Sequence, residues 1–423
     1  QEGLPIEEKL RVEREEYERM LQGVRNAISC FELRRSPDNS KGESLLIVTD
    51  EGASPALRKA LQEAGREAAG KDFRMYVLPK TEHAAQSMGE FIGEKMKGSD
   101  AVLLVTSLSR SHAPETVALL HPRYSIDIIE ALIFSPKLRE RFARLRKKYT
   151  PEELVQKLAD RKLDETVPFP SKSRVISVTN TETSTFSEGA ALENFQEMAK
   201  RIERFAEIIK GIERVKIISE NGTDLELDIK TETLFAETGI VNKPGMAANF
   251  PSGEYGGAVD LAETNGIYVA DGAIGMIGQP DQPVRLIIEK GRVVKIEGGE
   301  SARQLQEILK KANAEHQKQN PKDKKSDAFK LAEFSFGMNA QAVRYTPEDQ
   351  RISPPTSLEA EKGLGTVHIA VGKNTLFGVK KEDPDYSNVP VHIDLVLLNP
   401  TVIGIKSNGE QIRIIKQGQM VCL

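Results

Sequence analysis

Three short runs in the first half of the chain are apolar on both sides. They are "SLLIVTD" (Ser44–Asp50), "FRMYVLP" (Phe73–Pro79) and "DAVLLVTS" (Asp100–Ser107), and stretches of helical spacing such as "PALRKALQEAGREA" lie between them. A strand that does not alternate needs cover on both faces, and helices between such strands supply the crossovers that parallel pairing requires. The pattern predicts an α/β N-terminal domain built on a parallel sheet. "PRYSIDIIEALIF" and "SRVISVTN" (Ser173–Asn180) are candidates for further elements, and the charged segment Pro136–Lys172 reads as surface helices. Phe195, Met198, Ile202, Phe205 and Ile209 then recur at helical spacing and read as a core-facing stripe.

Beyond this helix the pattern changes to alternation. "VKIISENGTDLELDI" (Val215–Ile229) is a hairpin signal, because Asn221-Gly222 tolerates the positive φ angles of a type I′ turn. "RLIIEKGRVVKIEG" is a second hairpin, turning at Lys290-Gly291. "SARQLQEILKKANAEHQKQ" is a helix with a seam at Leu305, Ile308, Leu309 and Ala312, and His316 falls on its solvated face. The expected organisation is an α/β domain over residues 1–213 and a strand-rich α+β, metal-binding catalytic domain over 214–423.

At 423 residues the length suits two or three domains, and 39% hydrophobic with 29% charged residues suits a soluble globular chain. The net charge of −4 gives no basic field to draw the chain to nucleic acid or an acidic membrane. Two cysteines, Cys30 and Cys422, form no CxxC or Cys/His cluster. The charged N-terminal stretch lacks the apolar core of a secretory signal, and no run is long enough to span a bilayer. A cytoplasmic location is the expectation.

Chemistry concentrates in four segments of the second half. "NFPSGEYGG" places Glu254 after a Pro-Gly bend. In "LAEFSFGMN", Glu333, Ser335 and Gly337 share a face, and in "GTVHIAVGKN", His368, Ala370 and Gly372 do. In "SNVPVHIDLVL", His392 and Asp394 point away from Val391, Ile393, Leu395 and Leu397. The bland reading of that last pair is a satisfied His–Asp hydrogen bond in a core. The sharper reading is a cavity wall, with ligands on rigid strands and small neighbours leaving room for an ion. Three carboxylates and two imidazoles suit a borderline divalent ion, and five ligands suit two ions sharing a carboxylate. The other histidines read as loop or helix-flanking residues: His112 in "SLSRSHAPE", where a substrate or interdomain contact is the alternative, and His83 and His121. The Gly-rich stretches lack phosphate-binding spacing.

The order "NFPSGE", "AEFSFGMN", "VHIAVG", "VHIDLVL" resembles the thermophilic aminopeptidase T and S family of metallopeptidases; "TSLSRSHAPETVALL" and "ISENGTDLELDI" resemble it more weakly. The resemblance implies a homodimer acting on a peptide or aminoacyl substrate through two divalent ions, zinc, cobalt or manganese. Its ligands fall on Glu254, Glu333, His368, His392 and Asp394, with Glu333 as the bridging, catalytic ligand. A metal-activated water would attack the scissile carbonyl. Two positions depart from the family. Thr375 stands where its aminopeptidases carry a substrate-site tyrosine, with Tyr386 a weak substitute, and "YGGAVDL" replaces an aromatic-Thr-Ala-Pro run. The alternatives are a ring-cleaving dihydroxypyridine dioxygenase of the same superfamily, which uses one ferrous ion on two histidines and an aspartate and lacks both glutamates, and a non-catalytic metal-binding relative.

Overall fold

The computed structural model describes residues 6–34, 42–82, 86–111, 113–117, 119, 173–178, 180–243 and 245–423. "PRYSIDIIEALIF", the Pro136–Lys172 helices, His83, His112 and His121 lie outside them. The chain forms two compact units: Gln1–Phe195 with Gly239–Pro251, and Gln196–Thr238 with Ser252–Leu423.

The first unit is built on a five-stranded sheet in the order Phe73–Leu78, Leu45–Asp50, Ala101–Val105, Arg174–Val178, Ala247–Phe250, every pair parallel. Every side chain of Leu45–Asp50, Ala101–Val105 and Arg174–Val178 is buried, which is why these strands read as unbroken apolar runs. The crossover helix Pro55–Ala69 begins where the Ser54 side chain accepts from the Leu57 N–H at 3.1 Å and ends at Gly70, whose φ is 52°. Its apolar stripe, Leu57, Ala60, Leu61 and Ala64, is buried. The α/β expectation holds.

The division between units departs from the expected boundary at 213/214 for two reasons. The Phe195–Ile208 helix carries Phe205 onto the rings of Tyr255 and Phe336, at centroid distances of 5.8 and 5.0 Å, so most of it packs with the second unit. Gly239–Pro251 then returns to lay Ala247–Phe250 beside Arg174–Val178. Such a non-local pairing leaves no periodic trace in the short "AANF" segment.

The second unit has an eight-stranded antiparallel sheet containing both predicted hairpins. Lys290 and Gly291 take φ of 47° and 63°, the two positive values of a type I′ turn. The first hairpin differs: only Gly222 is positive, at 99°. Asn221 acts through its side chain, accepting from Thr223 N–H at 3.1 Å and Thr223 Oγ1 at 2.9 Å. His316, expected on a solvated face, is buried and bonds Asp323 at 2.9 Å, because the chain after the Glu300–Gln319 helix folds back over it. A second, five-stranded antiparallel sheet runs His392–Leu397, Val367–Gly372, Leu331–Gly337, Glu254–Gly257, Phe235–Glu237. Among the described residues no helix is long and apolar enough to cross a membrane.

Candidate metal centre

Register alone assembles the site. On the five-stranded sheet Gly337 pairs with Glu254, Ser335 with His368, Ala370 with both Glu333 and Asp394, and Gly372 with His392. Directly paired residues share a face. Glu254, Glu333, His368, His392 and Asp394 therefore lie on one face of four neighbouring strands. The opposite face carries Phe334, Phe336, Val367, Ile369, Ile393 and Leu395, all buried. The structure thus brings together all five residues singled out in the sequence.

They form two groups that share Glu333: Glu254, Glu333 and His368, and Glu333, His392 and Asp394. Within each group one potential ligand atom per residue lies within 4.8 Å of the others. Glu333 Oε1 accepts from Ser335 Oγ at 2.6 Å and lies 3.5 Å from His368 Nε2. Glu333 Oε2 lies 3.0 Å from His392 Nε2, which is 3.2 Å from Asp394 Oδ1. His392 Nδ1 lies 2.9 Å from the Lys373 carbonyl oxygen. A carbonyl only accepts, so Nδ1 carries the proton and Nε2 is aimed at the carboxylates, the arrangement that orients metal-binding imidazoles. His368 Nδ1 is buried with no hydrogen-bond partner among the described residues. His392 and Asp394 side chains keep 17% and 20% exposure, against 1% for His368 and 4% for Glu333, so the cluster opens to solvent at the H-x-D pair.

Sequence reasoning missed Lys362. This residue ends the short Ser357–Lys362 helix, its side chain is 3% exposed, and its Nζ lies 2.8 Å from Glu254 Oε2, 2.9 Å from Glu237 Oε2 and 3.0 Å from Glu361 Oε1. In "SLEAEKGLG" it resembles any solvated helix end. The one available signal was its position six residues before His368, next to a fully buried strand.

The small neighbours also need correction. The sequence pattern expects them to leave room for an ion. A Cβ at Gly337 would instead lie 2.1 Å from Gly363 O, and one at Gly372, whose φ is 109°, would lie 2.3 Å from Val391 O. Close backbone approach, not an open cavity, requires glycine at both positions. Thr375 is half-buried in a single turn with Oγ1 3.5 Å from Asn388 Oδ1, and Tyr386 lines a cavity with Asn320–Lys325 and Lys381. The aromatic group set against the cluster is Phe377, its ring centroid 5.6 Å from that of His392 and stacked on Phe235 at 5.5 Å.

Negative groups outnumber positive ones in the site. Five carboxylates (Glu237, Glu254, Glu333, Glu361, Asp394) meet one ammonium and two imidazoles. Burial raises the Glu254 carboxyl despite Lys362, and burial lifts Glu361 to about 7. Burial opposes charge on His368, but Glu333 outweighs it and raises the imidazole to about 10; His392 is raised likewise by Asp394 and Glu333. Those imidazolium charges in turn hold Glu333 and Asp394 below the usual carboxylate range against their own burial. A buried excess of negative charge thus recruits protons onto histidines. A divalent cation would satisfy the same demand. The donor set of imidazole nitrogens and carboxylate oxygens fits such an ion.

A parallel α/β unit joined to an antiparallel unit bearing this donor set defines the class. A fold of this class is shared with a dihydroxypyridine dioxygenase and with the AmpT aminopeptidase. The model of the family described as "NicX: 2,5-dihydroxypyridine 5,6-dioxygenase" matches residues 172–421, and the chain belongs to that family. Among solved structures, the 2,5-dihydroxypyridine dioxygenase from Pseudomonas putida KT2440 is similar with a TM-score of 0.57 and 15% identity, over 95% of this chain and 96% of that one. Wild-type AmpT from Thermus thermophilus is similar with a TM-score of 0.54 and 14% identity, over 96% of this chain and 100% of that one. At these identities the two likenesses establish the fold. No curated protein matches the chain.

Proposed function

We propose that the chain catalyses the oxygen-dependent opening of a hydroxylated nitrogen heteroaromatic ring at a metal held by Glu333, His392 and Asp394, with His368 beside them. The observation that carries this reading is the family match over residues 172–421, which spans every residue of the cluster. It reverses the order expected from the sequence, where the two glutamates put a hydrolase ahead of the oxygenase.

A ferrous ion bound there would supply the redox chemistry that brings dioxygen to react with an aromatic ring. The chain's own residues do the rest. The Lys373 carbonyl fixes the His392 tautomer, and Ser335 fixes the rotation of the Glu333 carboxylate. Phe377, backed by Phe235, offers a flat face next to His392 against which a planar ring can stack. The buried Glu254–His368 side excludes water, so substrate approaches by way of His392 and Asp394.

A second reading, a two-ion aminopeptidase, is favoured by one observation: the two donor groups share Glu333, as a bridging carboxylate requires. The experiment that separates them pairs oxygen uptake on 2,5-dihydroxypyridine with ferrous ion against release of nitroaniline from aminoacyl-nitroanilides with zinc, cobalt or manganese. Oxygen consumption stoichiometric with ring loss is expected. Amide hydrolysis without oxygen uptake would reverse the assignment, and in that case Glu333→Gln should abolish it.

A further inference from the structure

We propose that the cavity between the loop of residues 320–325 and the segment holding Lys381 and Tyr386 is a binding site for a small polyphosphate anion. Its residues are separate from the strand cluster, and the proposal stands whatever metal or reaction that cluster serves.

The loop carries the sequence "NPKDKK", a run of charge that the fold gives a definite shape. The Glu300–Gln319 helix ends at Asn320, whose N–H donates to the His316 carbonyl at 2.7 Å. The Asp323 carboxylate then gathers the loop around itself. One of its oxygens accepts from Lys325 N–H at 3.0 Å and Ser326 N–H at 3.2 Å. The other accepts from Ser326 Oγ at 2.6 Å and lies 2.9 Å from His316 Nε2. Both oxygens are committed, and this acid forms no ion pair with the lysines on either side of it. The facing wall is tied on firmly. Lys325 Nζ donates to the carbonyls of Lys381 and Glu382 at 3.0 and 3.2 Å, and Asn388 N–H donates to Ser326 Oγ at 2.9 Å. The space between the walls is about 640 Å³, and Pro321, Lys322, Lys324, Lys325, Lys381 and Tyr386 are among the residues that line it.

Four ammonium groups therefore border one cavity. Among the described residues none of them forms an ion pair with a carboxylate, and the neighbouring acids Asp383 and Asp385 are taken by Lys230 at 3.1 and 3.0 Å. Unpaired positive charge is thus concentrated at one place in a chain whose net charge is −4. Ammonium groups held together repel one another, and an anion among them relieves that cost. Lysine meets phosphate oxygens as a point charge and imposes no planar geometry. A space of this size is far larger than one tetrahedral anion and falls in the range of small-molecule sites, so several linked phosphates can meet several lysines at once. The lysines border a cavity, not a stripe along the surface, which suits a small anion and not a nucleic-acid backbone. Because the walls are already joined by hydrogen bonds, little ordering is left to oppose binding.

The test is isothermal titration calorimetry with sodium tripolyphosphate on the full chain, and with sulfate at equal ionic strength. The chain is first stripped of metal with a chelator and desalted, since polyphosphates themselves bind divalent ions. One tripolyphosphate per chain is expected, about tenfold or more tighter than sulfate, with an affinity that falls as salt rises. The triple variant Lys322→Gln, Lys324→Gln, Lys381→Gln should lose about tenfold or more in affinity. A second triple variant, Lys97→Gln, Lys200→Gln, Lys210→Gln, makes the same change in net charge at exposed lysines on other segments and should bind as the unaltered chain does. Hydrogen exchange should slow in residues 320–326 and 381–388 when the anion is added. No binding, equal affinity for sulfate, or retained affinity in the folded first variant would overturn the proposal. Equal losses in both variants would overturn it too, by showing that overall charge alone attracts the anion. Should the first variant fail to fold, exchange in the unaltered chain decides, and protection centred on any other segment would refute the site.

Discussion

Ser335 makes one hydrogen bond to the site, to Glu333 Oε1 at 2.6 Å, and that bond has a measurable worth. Partners that orient a ligand typically contribute tenfold to hundredfold in metal affinity. Ser335→Ala should weaken ion binding by about that factor while leaving stoichiometry unchanged, as read by competition with a chromophoric chelator. An unchanged affinity would mean that Glu333 is held by its imidazole neighbours alone. The clustering of the five residues was legible in the sequence because their residue types are rare on apolar strands and alternation fixes which face they take. Lys362 was not. Its charge is cancelled by Glu237, Glu254 and Glu361, two of which are distant in sequence, and nothing local distinguishes it from a solvated lysine. His316 was misread for a related reason: the Asp323 that covers it belongs to the following loop.

At the scale of elements, the parallel strands and both hairpins of the second unit were legible because each leaves a local periodic signature. The Ala247–Phe250 strand was not, since its partner among the described residues is Arg174–Val178, far away in the chain. The ends of the first sheet carry their own device. Asp50 closes its strand, and its carboxylate accepts from Gly52 N–H at 3.0 Å, Thr81 N–H at 3.0 Å and Ser107 N–H and Oγ, both at 2.8 Å, tying three loops together. Burial alone would raise this carboxyl, but the hydrogen bonds from Thr81 and Ser107 prevail and hold it below the usual range. The sign follows. A depressed folded-state pKa gives stability that is present in full above the ordinary carboxylate value, about 3.9, and is lost as pH falls through the lower folded value. Asp50→Asn should cost about 1–3 kcal/mol near pH 7, because buried donors lose their acceptor. In denaturant titrations the gap between the two proteins should narrow as pH drops below about 4. A gap independent of pH would show that shape, and not charge, is what Asp50 contributes.

For the whole molecule, an ion that binds the folded chain and not the unfolded one stabilises it by mass action, about 2.7 kcal/mol at a hundredfold excess over Kd. The protection should be local. Slowed hydrogen exchange is expected in Glu254–Gly257, Leu331–Gly337, Val367–Gly372 and His392–Leu397, with little change in the parallel strands Leu45–Asp50 and Ala101–Val105. Protection centred on those parallel strands would place the ion elsewhere. The two-faced sheet has a further consequence. Phe334, Phe336, Ile369 and Leu395 hold the fold together from one side, and the carboxylates and imidazoles of the cluster project from the other. Swapping a group on the cluster face therefore leaves the hydrophobic packing untouched, and the chemistry of the site can change through point substitutions with no refolding of the chain.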